Sequence, residues 1–525
     1  MAEWNSTIQN ATDPVAMTSR RLFGRRKIVT EAREITRENV VHEIVEKAHL
    51  VHLQNKSEID YLWKYYKGDQ PILYRQKEIR PEINYHIVEN RAQEIVAFKT
   101  GYLCGSPIQY VSRNSEEDIS EAVKQLNDMM LSESKATKDK ELVEWDMICG
   151  TAFRMVLPDD GSDPDEAPFE IYTLDPRQTF VVYSIDHRSK PLAGVYEVYD
   201  EDNQISRYSV YTERSVFEIA VEDKDGKAVN AEIKETPNTW QGRIPIIEYP
   251  ANPARMGAFE PVISLLDAIN IVDSDRANGL SQFIQSLVVL TNAELPEGTT
   301  ANEIRESGLI QLASTSDNKA TIDIISESLD QTNTQTLKED LYQAVLTIVG
   351  MPSQGDANTG DSSNNGAIIL KNGWQGAEAR AKDSELMFKQ SEQEFLKIVL
   401  FLCRELSDFN LKVSDIEAHF TRRNYQDLLS KSQVLINMLS NDKIAPKLAF
   451  DSCGMFIDSE EAYRISKDYY DKLKEEQKRE AKEMFETEER VDANTDDNSV
   501  RRNQSSGVDS PGQANNKQQN REARV

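Results

Sequence analysis

Apolar residues recur at three- and four-residue steps from Thr36 to about Tyr66: Val40, Val41, Ile44, Val45 and Ala48, then Leu62, Trp63 and Tyr66. This spacing predicts amphipathic helix, ended by the break at Gly68 to Pro71. Asn84 to Leu103 reads as a second helix, stopped by Gly105 and Pro107, and 115–150 is helical again. Between Phe153 and Tyr249 the period falls to two. Runs such as Phe169-Glu170-Ile171-Tyr172 and Val195-Tyr196-Glu197-Val198 are split by Asp, Gly and Pro. An antiparallel sheet is predicted here, with a hairpin at Asp225-Gly226.

A long helix follows over Phe259 to Leu287. Val262, Leu266, Ile269, Val272, Leu280, Ile284 and Leu287 form its apolar stripe, with Asp267, Asp273, Asp275 and Arg276 elsewhere on the cylinder. Short strands are predicted in 288–326, clearest at Gly308 to Leu312 and Thr321 to Ile325. A helix from Thr334 to Val349 ends at Gly350 and Pro352. Residues 353–366 are nearly all Gly, Ser, Asn and Asp, a loop by composition. A helix of unusual length, about Ala367 to Leu406, comes next. Segment 425–488 is helical, and from about 491 the polar tail is expected to be disordered. Residues 1–35 read as a flexible N-terminal arm. The fold class is α+β, with two long helices bracketing a small strand-rich module at the end of a stalk.

Composition narrows the reading. The 525 residues carry 61 Lys+Arg against 89 Asp+Glu, a net charge of −28. At ~150 residues per domain this length allows three or four units. No apolar run reaches the ~18 residues that span a bilayer, and Met1 to Thr30 lacks a signal-peptide core, so neither a membrane nor a secreted protein is expected. Cys104, Cys149, Cys403 and Cys453 lie far apart, which argues against a disulfide framework and fits a reducing cytosol. The acidic balance excludes a surface that grips phosphates everywhere, while leaving room for a channel that must not hold nucleic acid tightly.

Catalytic patterns are sparse. Neither phosphate-binding glycine loop is present. His42, Glu46 and His49 are spaced by four and three and would share a helical face, but a zincin would need His where Glu46 stands, and solvated polar residues are the plainer reading. Asp361 to Gly366 imitates the start of a calcium loop, whose twelfth position is Asn372 rather than Glu. No serine sits in a nucleophile elbow. The chain reads as a non-enzyme without cofactor or metal. Two alternatives are an acidic helical cytosolic scaffold that does not bind DNA, and a metal-dependent hydrolase built on His42, Glu46 and His49.

Five blocks, in order, resemble the portal (head-to-tail connector) proteins of tailed double-stranded DNA phages, of the type found in siphophages of Gram-positive hosts. They are Tyr65-Tyr66-Lys67-Gly68-Asp69-Gln70-Pro71-Ile72; Pro81, Asn84 and Asn90 through Gly101-Tyr102, Gly105 and Pro107-Ile108; Ile244 to Glu248 with Asn252, Leu265 to Asn270 and Ser274-Asp275; Gly350-Met351-Pro352 with the polar loop and Ala367-Ile368; and Phe420 to Asn424 with Ile457 to Glu461. The resemblance covers roughly residues 50–480.

It implies an elongated subunit: a wing of helices and antiparallel sheet (36–258, with the long helix and its connection, 367–424), a two-helix stem (259–287 and 334–350), a small α/β clip (288–333), a tunnel loop (351–366) and a helical crown (425–490). It further implies a dodecameric ring at one capsid vertex, with double-stranded DNA in its channel. The terminase large subunit would dock at the clip, followed by a head-completion adaptor, with the major capsid and scaffolding proteins as other partners. The virion, and the host cytoplasm during assembly, would be its locations. Asp267, Asp273 and Asp275 are the stem candidates for an acidic channel lining. Gln354, Asn358, Ser362, Ser363, Asn364 and Asn365 are the loop candidates for weak, sequence-independent backbone contacts.

Overall fold

A computed structural model describes residues 22, 24–77, 81–113, 117–159, 167–200, 205–224, 227–238, 242–284, 287–291, 321–325, 331–352, 373–406, 411–421, 428–441, 443–456 and 458–500. The chain divides into two units, Met1–Leu428 and Leu429–Val525.

In the first unit, β1 (Ile28–Thr30) leads to a π-helical stretch, Val41–Ala48, that runs directly into α1 (His49–Tyr66). Next come α2 (Arg91–Cys104), β2 (Gln109–Ser112), α3 (Glu117–Ser132) and α4 (Lys135–Cys149). Eight strands follow: β3 (Thr151–Pro158), β4 (Phe169–Leu174), β5 (Thr179–Ser184), β6 (Pro191–Asp200), β7 (Ile205–Thr212), β8 (Ser215–Lys224), β9 (Lys227–Pro237) and β10 (Ile246–Pro250). Then come α5 (Ile263–Ile284), β11 (Leu287–Thr291), β12 (Thr321–Ile325), α6 (Gln331–Val349), α7 (Trp374–Leu406) and β13 (Ile416–His419). The second unit contains α9 (Pro446–Cys453) and α10 (Ser459–Val500), preceded by α8 (Leu428–Leu439), which begins at the boundary.

The β region is two sheets. One has the order β1-β5-β6-β7-β8-β9 and the other β10-β3-β4. Their alternation separates two apolar layers. Phe180 and Val182 of β5 face Val40 and the Ile44 and Val45 side chains of the π-helical stretch that follows it, while Val181 packs with Phe153, Met155 and Ile246 of the second sheet. Gly194 of β6 permits the close approach, because a Cβ there would lie 2.7 Å from Cβ of Ile246. β8 and β9 pair up to Lys224 and Lys227, on either side of the expected Asp225-Gly226 turn, which itself lies outside the described residues. A larger core gathers α1, α2, α3, α4, the three-stranded sheet, α5, α6 and α7, with Phe259, Ile269, Val345, Phe395 and Val399 fully enclosed.

Several elements depart from the sequence expectation. The expected arm over 1–35 joins the fold from Gly24 onward: β1 pairs in parallel with β5, and Arg25 is buried against Glu260 at 2.7 Å. The expected helix from Asn84 begins at Arg91, where the Asn90 side chain accepts from the Gln93 backbone N–H as N-cap. The helix over 115–150 is broken at Ser134, which adopts a left-handed φ of 52°. At the other end α10 runs to Val500, past the expected start of a disordered tail at 491, because the stretch lacks the Gly or Pro that would stop it. The expected strand at Gly308 to Leu312, the tunnel loop and the start of the longest helix lie outside the described residues, and α7 is described from Trp374.

Candidate functional site

Helices α5 and α6 pack together and are tied by Arg276, whose guanidinium donates to Gln335 Oε1 at 2.7 Å. Extended segment 84–90 runs along α5 in the opposite direction. Backbone N–H groups of Tyr85, Ile87 and Glu89 donate to Asn278 Oδ1 (2.7 Å), Ser274 Oγ (3.0 Å) and Asn270 Oδ1 (2.8 Å). Every second residue of an extended chain advances about 6.6 Å and every fourth residue of a helix about 6 Å, so three successive rungs stay in register. All three acceptors are buried. Asn270 also donates to Gln70 Oε1 at 2.5 Å, which brings the chain just after α1 onto the same helix.

Segments packed around α5 decide what Asp267, Asp273 and Asp275 do. Asp267 accepts from the Tyr65 hydroxyl at 2.9 Å. Burial pushes its carboxyl up to about 6, against the pull of that hydrogen bond. Asp273 and Glu89 share Lys338, at 2.9 and 2.6 Å. Burial and the adjoining Glu89 carboxylate push Asp273 up, whereas Glu89, despite its own burial, is held down by its hydrogen bonds to Asp273 and Lys338. Asp275 is exposed and receives Arg75 in two contacts, 2.9 and 3.3 Å, with Lys77 at 3.8 Å. Each of the three candidate channel carboxylates therefore has a partner within its own chain. Asp267 and Asp275 lie off the apolar stripe, but Asp273, eleven residues after Val262 and seven before Leu280, falls on it, contrary to the sequence reading, and faces Lys338 of α6 there. The six tunnel-loop candidates, Gln354, Asn358, Ser362, Ser363, Asn364 and Asn365, lie outside the described residues.

Helices α5 and α6 keep apolar side chains in solvent. Ile271 (43%) and Leu280 (56%) on α5, and Leu337 (50%) and Ile348 (45%) on α6, are exposed in the single chain. Leu280 belongs to the apolar stripe of α5, whose proximal residues Val262, Leu266 and Ile269 are enclosed.

The long helix α7 is anchored by a buried charge cluster that the sequence did not reveal. Glu392 accepts from Tyr110 Oη (2.5 Å), Tyr249 Oη (2.8 Å) and Lys135 Nζ (2.9 Å), with Arg154 at 3.5 Å. Asp139 takes Lys135 at 2.7 Å and Arg154 at 2.5 Å. The four charged side chains are at most 3% exposed. Burial opposes ionisation of Glu392, but Lys135 and Arg154 outweigh it and hold the carboxyl below its ordinary range. Two cations against two anions, joined by two phenols, fix α7 to α4, β2, β3 and β10.

The His42, Glu46 and His49 trio is not assembled. His42 Nδ1 meets Glu46 at 2.7 Å, whereas His49 Nε2 lies 3.1 Å from Glu197 of β6. The wide π-helical turn alters the 3.6-residue register on which the shared face depended. His52 is buried against Phe180 at 4.5 Å, and burial brings its imidazole down to about 4. Among the described residues no group of three or more His, Cys, Asp or Glu could hold a metal ion, and no helix is long and apolar enough to cross a membrane.

No curated protein matches this chain. Among solved structures it resembles a chain from the "Neck of empty GTA particle computed with C6 symmetry", with 12% sequence identity and a TM-score of 0.40, covering 76% of this chain and 94% of that one. The profile of one protein family, described as "Phage portal protein, SPP1 Gp6-like", matches residues 48–484. That match takes in both sheets apart from β1, the strap, α5, α6, α7 and most of the second unit, so the chain belongs to the phage portal protein family.

Proposed function

We propose that copies of this portal subunit close into a twelve-membered ring at one capsid vertex, around an axis through which double-stranded DNA enters and leaves. The family match over residues 48–484 carries this reading. The stem supports it physically. Ile271, Leu280, Leu337 and Ile348 would remain wet in an isolated chain, and a heterologous contact repeated by rotation covers such a face in every copy.

Within this reading, 36–258 and 367–424 form the wing, 259–287 and 334–350 the stem, 288–333 the clip, 351–366 the tunnel loop and 425–490 the crown. The clip receives the terminase large subunit during packaging and a head-completion adaptor afterwards. The major capsid and scaffolding proteins surround the wing and crown. Of the stem aspartates, Asp275 is the one at the surface, while Asp267 and Asp273 serve contacts inside the subunit. A duplex that must slide should meet few free cations, since each phosphate neutralised by Lys or Arg adds affinity and friction. The neutral loop residues Gln354, Asn358, Ser362, Ser363, Asn364 and Asn365 offer weak contacts of the required kind.

The test replaces residues 353–366 with a rigid segment in the infecting phage. Rings should still form, while DNA packaging or retention falls. Unimpaired packaging would contradict the role of the loop, and failure of the unmodified chain to form rings would contradict the function as a whole.

A further inference from the structure

A cavity of about 220 Å³ lies where α2, loop 251–258, the end of α6 and the start of α7 meet. Lys99, Arg380, Asn252 and Ser384 supply its polar lining, and Met147 and Ile348 are among the apolar residues. Two of the polar groups are already engaged. Asn252 accepts from the Met256 backbone N–H at 3.1 Å and donates to the Met256 carbonyl at 2.8 Å, and Ser384 donates to the Arg380 carbonyl at 3.2 Å. Arg380 donates to the Ile348 and Thr347 carbonyls and so caps the end of α6. Gly350, with φ of +71°, leaves room for it, because a Cβ there would lie 2.3 Å from the arginine Cδ.

Among the described residues no carboxylate lines this cavity. Lys99 and Arg380 face it together, and burial, then repulsion by Arg380, brings the Lys99 ammonium down to about 8. In a chain with 89 acidic residues, a recess whose described lining holds two cations and no anion stands out.

We propose that this recess is a carboxylate socket, filled by an Asp or Glu side chain of the neighbouring copy in the ring. The inference rests on the ring reading. Three observations favour a second copy over other anions. The cavity has one apolar wall, which suits a carboxylate carried on methylene groups better than a phosphate diester. Its rim residue Ile348 shares a helical face with Leu337, eleven residues earlier, so the socket continues the exposed apolar stripe of the stem. Each neighbour, at −28, brings a surplus of carboxylates.

The test uses rings assembled from a mixture of isotopically light and heavy full-length chains, coupled with a carbodiimide that joins amines to carboxylates in contact. Lys99 should be found linked to an acidic peptide in mixed-isotope pairs. In parallel, Lys99→Gln, which leaves the Arg380 cap in place, should raise the protein concentration at which rings half-dissociate by roughly tenfold. Rings whose Lys99 is unlinked, or linked only within one chain, overturn the proposal, as does an unshifted K99Q midpoint. Normal K99Q rings that lose DNA affinity would assign the recess to phosphate and overturn it equally. Failure of the unmodified chain to form rings would overturn both this proposal and the ring reading, and is distinguished by mass photometry before cross-linking.

Discussion

Asp267→Asn separates an internal stem carboxylate from one that lines a channel. Burial raises the Asp267 carboxyl from the ordinary value near 4 up to about 6, so its ionised form is disfavoured in the folded chain. The sign follows from linkage: the folded state binds this proton more tightly than the unfolded one. The stability cost is therefore full above pH 6, shrinks as pH falls through 6, and vanishes below about 4. Two decades of acidity correspond to about 3 kcal/mol, and partial solvent access reduces this to about 1–2 kcal/mol. Asparagine cannot ionise, yet its Oδ1 can still accept from the Tyr65 hydroxyl. Urea denaturation at fixed protein concentration should show D267N more stable than the unmodified chain by about 1–2 kcal/mol at pH 8. The gap should narrow at pH 5. Reading the difference between variants cancels the other acidic groups. Equal stability at pH 8, or a gap that does not narrow on acidification, would refute the reasoning, because a solvated channel carboxylate titrates near 4 and gives neither effect.

Glu392→Ala should destabilise the subunit by about 3–5 kcal/mol, seen as a lower urea midpoint, because Lys135 and Arg154 are left buried with Asp139 alone; a loss under 1 kcal/mol would mean that the cluster does not anchor α7. Asn278→Leu removes the acceptor for the Tyr85 N–H, so hydrogen exchange of segment 84–90 should accelerate and stability should fall by about 1–3 kcal/mol. Unchanged exchange would show that the strap is held by other contacts. Ring assembly should improve as NaCl rises from low ionic strength to 0.1 M and beyond, where the Debye length is ~10 Å or less, since copies of charge −28 repel at long range. Sedimentation showing rings that fall apart with added salt would contradict this.

The periodic elements were legible because their signal is local. The apolar stripe of α5, the pairing of β8 and β9 on either side of Asp225-Gly226, and α6 up to Gly350 fall close to where spacing and turn residues put them. Contacts made across the chain were less legible. The rungs Asn270, Ser274 and Asn278 sit four residues apart and could have been noticed as a polar face, yet nothing nearby announces that Tyr85, Ile87 and Glu89 are their donors. Arg25 and Glu260 are 235 residues apart, so the packing of the chain from Gly24 onward could not be inferred from its polar, Arg-rich sequence. Glu392 looked like any other acidic residue of a long helix, because its four partners come from four separate elements. The partners of Asp267, Asp273 and Asp275, namely Tyr65, Lys338 and Arg75, come from segments that only tertiary structure brings to α5.

Negative-stain imaging of the purified full-length chain tests the portal reading most directly. The account requires closed rings of identical copies around a stain-filled central hole, with the stem helices grouped about the axis. Compact particles of one copy, without a hole at any concentration or ionic strength, would contradict it.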